Sequence, residues 1–145
     1  MSEENKVNIQ KNLQIKLEQL IELQELANTY QQLIEANTIV LSDIVRTRQA
    51  LKELIDTKDE ILSGLINLGA GIYIEGEIRV RGKMLIDIGA GVVIPVSVEE
   101  AIEKLRKREN QVRESIENAR QMIMKIQNTI SKLQVEINKL RKIRE

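Results

Sequence analysis

The sequence predicts a mostly helical α+β chain: a long antiparallel coiled-coil hairpin with two central β-hairpins that assemble into a β-barrel between subunits. Three observations lead there. Apolar heptads run along both flanks, the stretch NLGAGIYI (Asn67–Ile74) recurs as DIGAGVVI (Asp87–Ile94), and Tyr30 and Tyr73 are the only aromatics. Ordinary cores draw on large aromatic area, so a compact centre in this chain of 145 residues would have to be aliphatic. Charged residues at 30%, with 7 Gly and 1 Pro, fit long helices better than a globule. The expected divisions are a helix over residues 1–64, two β-hairpins over 65–98 and a second helix over 99–145.

The first helix is predicted by its period. One seam position reads Leu13, Leu20, Ala27, Ile34, Leu41, Arg48, Ile55, Leu62, and the other Lys16, Leu23, Tyr30, Asn37, Ile44, Leu51, Lys58. A heptad sustained this long implies a coiled coil and not merely an amphipathic helix. Gly64 is the expected C′ residue that ends it. Opposing Leu62 to Ile102 then sets the expected register between the helices.

The period changes to two in the middle, the mark of half-buried strands. Ile72, Ile74 and Ile78 share one face, as do Met84, Ile86 and Ile88, and Val92, Ile94 and Val96. Gly69 and Gly71, then Gly89 and Gly91, supply the positive φ that short hairpin turns demand. A phosphate-binding reading of these glycines lacks the third glycine, the Lys-Ser/Thr pair and the following helix that such loops need. Pro95 cannot donate to a ladder and belongs on an edge. Four short strands with one aliphatic face are marginal alone, and their edges invite pairing. The middle segment therefore specifies an oligomer, with Ile72, Ile74, Ile78, Met84, Ile86, Ile88, Val92, Ile94 and Val96 as its contact residues.

The second helix opens at a capping box, Ser97 with Glu100. Its seams read Ile102, Glu109, Ile116, Ile123, Ile130, Ile137, Arg144 and Leu105, Val112, Ala119, Ile126, Leu133, Leu140. The polar seam residues Asn37, Arg48 and Glu109 are expected to fix register.

Charge excludes some functions. Residues 1–64 carry 7 Lys+Arg and 11 Asp+Glu, residues 65–98 carry 3 of each, and residues 99–145 carry 12 and 8. An acidic flank beside a basic one cancels the field that an RNA-gripping arm would need, and the basic arm has no aromatic stacking platform. Neither nucleic acid nor a membrane is an expected partner. With no His and no Cys, and no framework to raise a carboxylate pKa, no catalytic residue, metal ligand or cofactor is expected. Nothing reads as a signal peptide or a bilayer span, which makes the cytoplasm the expected location.

The order long helix, paired Gly-Ala-Gly hairpins, long helix resembles the α class of prefoldin subunits. LGAGIYIEGEI (Leu68–Ile78), MLIDIGAGVVI (Met84–Ile94) and SVEEAIEKL (Ser97–Leu105) carry the resemblance most specifically. It implies an ATP-independent chaperone subunit that captures unfolded polypeptides at the coiled-coil tips and passes them to a group II chaperonin. The implied subunit partners are copies of itself, as in an archaeal filament-forming paralogue, or β-class prefoldin subunits. Apolar residues off the seams supply the candidate client surface: Val7, Ile9, Ile15, Leu17, Ile21 and Leu26 on the first helix, and Met122, Met124, Val135 and Ile143 on the second. Exposed apolar patches often mark binding sites, and Met adapts to varied partners.

Overall fold

A computed structural model describes residues 2–144. The elements are α1 (Glu3–Asp56), β1 (Ile61–Gly69), β2 (Ile72–Arg79), β3 (Met84–Gly89), β4 (Val92–Val96) and α2 (Val98–Arg144). Their order is the expected one: two long helices around two antiparallel β-hairpins.

Helix α1 starts where Ser2 Oγ accepts the Asn5 N–H (3.3 Å), with Glu3 and Glu4 in the first turn favouring its positive end. It stops at Asp56, short of the expected Gly64. Leu62 satisfies two patterns at once, since it extends the heptad and also alternates with Gly64 and Ile66 as a strand would. The availability of a strand partner decides. Leu62 pairs with Ile78 and Gly64 with Gly76, while the Val80 N–H donates to Glu60 O (2.9 Å) just beyond the ladder. Gly64 is therefore a strand residue, and Lys58 and Leu62 leave the seam.

The chain divides into two compact units. One joins the α1 residues up to Val40 with the α2 residues from Val112. Its interior is the predicted seam: Leu13, Leu133 and Ile137 are buried together and flanked by Leu17, Leu20, Leu23 and Leu140. Ile34, Ile116, Ala119 and Ile126 are buried as well. Each such side chain contributes about 1.5–3 kcal/mol when fully withdrawn from water, less for Ala. Lys16 Nζ donates to Glu136 Oε2, and Asn37 Nδ2 donates to Ser115 Oγ (3.0 Å). Opposing Leu62 to Ile102 would have set Asn37 against Gln127. The register is displaced because α1 ends earlier than its heptad suggested.

The other unit, Leu41–Gln111, holds both hairpins and the adjoining helix ends. Ile44 and Leu51 of α1, Ala101 and Leu105 of α2, and Val80 and Val96 are buried. Arg48 and Glu109 meet here, with Nε 3.0 Å from Oε2 and Nη2 donating to Oε1 at 3.4 Å. This is the polar seam pair that the heptads singled out. Ser97 caps α2, its Oγ accepting the Glu100 N–H at 3.1 Å, and Arg141, Lys142 and Arg144 complement the negative end of that helix.

Candidate functional site

Both hairpin turns have one geometry. Gly69, Ala70 and Gly71 have φ of 98°, 51° and 78°, and Gly89, Ala90 and Gly91 have 116°, 53° and 74°. Positive φ at both central positions of each two-residue loop, Ala70-Gly71 and Ala90-Gly91, is the type I′ signature, whose twist matches that of paired strands. Side chains brace the turns identically. Asn67 Oδ1 accepts the Gly69 N–H and Asp87 Oδ1 accepts the Gly89 N–H, each at 2.8 Å. The repeat in the sequence is thus a repeat in hydrogen bonding. Arg108 of α2 donates to Asp87 O at 2.9 Å and ties the second hairpin to its own helix.

The two hairpins form separate two-stranded sheets. In the first, Leu62–Ile78, Gly64–Gly76 and Ile66–Ile74 are cross-strand pairs, so β1 adds Leu62 and Ile66 to the isoleucine face of β2. Leu62 is missing from the sequence-derived contact set because the helix was carried too far, whereas Ile66 lay within the expected β segment but was not assigned to this face. A Cβ on Gly76 would lie 2.8 Å from Ile66 Cδ1, so the isoleucine leans over the bare glycine row. Ile66, Ile72, Ile74 and Ile78 are all exposed. In the second hairpin, Met84 pairs with Val96 and Ile86 with Ile94. Ile88 and Val92 are exposed, whereas Met84, Ile86 and Ile94 are half-buried. Val96 corrects the prediction: at 5% exposure it is covered by its own chain. The opposite faces are apolar too, with Leu65, Tyr73, Leu85 and Val93 exposed. Period-two alternation alone gave these residues no role.

The unit that extends from the helix termini carries the other candidate surface. Val7, Ile15, Ile21, Leu26, Met124, Val135 and Ile143 are exposed off the seam, Met124 the most at 64%. Ile9 and Met122 are half-buried. Leu17 corrects the prediction, because it packs against the Leu13–Leu133–Ile137 cluster. Leu33, Ile39 and Val40 are also exposed, beyond the predicted set. The hydrogen bond and charge of Lys16 hold the Glu136 carboxyl below its ordinary pKa. Among the described residues no acid, His or Cys cluster is placed to hold a metal, and no helix is long and apolar enough to cross a membrane.

Comparison with known proteins matches this arrangement to one family. The family model "Prefoldin subunit" covers residues 9–142. The prefoldin subunit alpha of Archaeoglobus fulgidus is 30% identical over 128 residues, 88% of this chain and 93% of that protein. The corresponding protein of Methanocorpusculum labreanum is 34% identical over 123 residues, 79% of this chain and 82% of the relative. A cryo-EM structure of filamentous PFD from Methanocaldococcus jannaschii shares the fold, with a TM-score of 0.70 over 82% of this chain and 98% of that one at 15% identity. A helix–two-hairpin–helix chain with these relatives belongs to the prefoldin subunit family, among its α subunits.

Proposed function

We propose that the chain is a subunit of an ATP-independent holdase, acting in the cytoplasm, that assembles through its hairpins and captures unfolded polypeptides on apolar side chains of its helices before passing them to a group II chaperonin. The observation that carries the reading is the row of exposed apolar residues off the seam, Val7, Ile15, Ile21, Met124, Val135 and Ile143, all on the unit built from the helix termini. About half or more of each lies uncovered by the coil, and an unfolded chain offers matching apolar segments at little geometric demand. Flexible Met124 can repack against different sequences. The hairpins support the assembly half of the reading, since exposed isoleucines and unpaired strand edges favour burial against neighbours.

Assembly of this chain with itself into a filament is the second reading. It is favoured by the filamentous neighbour of the same fold and by the apolar residues on both hairpin faces. β-class subunits are the alternative neighbours.

The test is suppression of aggregation of a denatured protein, without nucleotide, by the intact assembly. Replacing Ile15, Ile21, Met124 and Val135 with Ser, and sparing the packed Leu17, should abolish most protection while helicity and assembly size stay unchanged. Undiminished protection by that folded variant would remove the client surface from these residues.

A further inference from the structure

A single closed β body needs only one face of each hairpin, which leaves the other face of the first hairpin without a role. We propose that this face receives the basic β2–β3 turn of a second copy of the chain, an inference that rests on the assembly reading above. Its cross-strand rows are Ile61–Arg79, Ser63–Glu77, Leu65–Glu75 and Asn67–Tyr73. Leu65 is 67% exposed and Tyr73 57%, so the apolar part of the face has no cover in its own chain. Alongside runs a groove of about 520 Å³ lined by Ser63, Leu65, Glu75 and Glu77, with the backbone of Gly64 and Gly76 between them. Glu75 and Glu77 stand two apart on β2 and thus project from one face.

The complementary charges follow directly along the chain. Arg79 ends β2 on the receiving face itself, and Arg81 and Lys83 flank Gly82 in the turn before β3. Arg81 and Lys83 line a separate cleft with Ser97 and Glu99, yet among the described residues none of the charges from Glu75 to Lys83 makes an ion pair within the chain. An acidic groove followed by a basic turn is complementary to itself between copies. A second copy brings the matching turn at the same concentration and on the same kind of hairpin, and the adjoining Leu65 and Tyr73 gain cover when it arrives. Ion pairs at such an exposed site set which edges meet and how fast, and apolar burial supplies most of the adhesion.

The test is charge reversal on the full chain, with assembly size followed by analytical ultracentrifugation and folding by helicity. Wild type should form an assembly that weakens between about 0.05 and about 1 M salt, where the screening length falls to about 3 Å. E75K/E77K and R81E/K83E should each need about tenfold or more higher concentration to assemble, because attraction becomes repulsion at several pairs. Mixing the two variants, or combining all four changes in one chain, should restore wild-type size. Equal assembly of wild type and both folded reversals, or failure of the mixture to recover, overturns the proposed contact and leaves hairpin assembly standing. A wild-type chain that stays monomeric throughout overturns the assembly reading and this contact with it.

Discussion

The Arg48–Glu109 pair allows a sharp test of what the polar seam residues do. Their two contacts, 3.0 and 3.4 Å, join an Arg side chain that is 34% exposed to a Glu side chain that is 9% exposed. Removing one partner from a fully buried pair costs about 3–5 kcal/mol, whereas an exposed pair is worth about 0–1 kcal/mol. With Glu109→Leu the guanidinium loses its carboxylate but can slide its stem and reach water. An intermediate cost, about 2 kcal/mol, is therefore expected. Arg48→Leu added to that variant replaces the pair by apolar seam residues and should return stability to within about 1 kcal/mol of wild type or above it. Arg48→Leu alone takes the guanidinium from the less exposed Glu109 and should cost at least as much, about 2 kcal/mol, so the coupling in the double-mutant cycle is about 3 kcal/mol or more. Guanidinium unfolding followed by helicity measures it, with all variants at one chain concentration, since assembly shifts apparent stability. Additive costs for the two substitutions would refute the coupling, and with it the view that this pair acts as a unit.

Two further outcomes are expected. Ala70 and Ala90 occupy left-handed backbone that costs an alanine about 1–2 kcal/mol. Asn tolerates this conformation better, so Ala70→Asn or Ala90→Asn should slow amide exchange in its own hairpin about threefold or more; unchanged exchange would show the turns to be unstrained. Glu136 has a folded pKa below its ordinary 4.5, so its stabilising contribution is complete above that value and disappears as pH falls through the lower folded one. Wild type should therefore lose more stability than Glu136→Gln between about pH 5 and about pH 3, and parallel curves would contradict the Lys16 pairing.

Much of this architecture was legible because the physics is periodic. Seam residues such as Ile34, Ile126, Leu133 and Ile137 follow from the heptad, and the glycine turns follow from a backbone that few other residues adopt. The end of α1 was not legible, since Ile55 to Leu62 continues the helical spacing and only pairing with Ile78 reveals the strand. That error propagated to the register and hid Leu62. Leu17 illustrates the same limit on a helix: its spacing puts it off the seam, yet it lies close enough to the Leu133–Ile137 cluster to be partly covered. Spacing gives angular position, but how wide a stripe the neighbouring helix covers depends on local packing.

The uncovered isoleucines of the hairpins have a consequence for the subunit before it finds neighbours. A copy made in excess displays uncovered apolar strand residues, as a nascent chain does. Under the proposed holdase function, such an orphan would compete with cargo for its own assembled siblings, and the supply of subunits would then have to be balanced to keep holding capacity free.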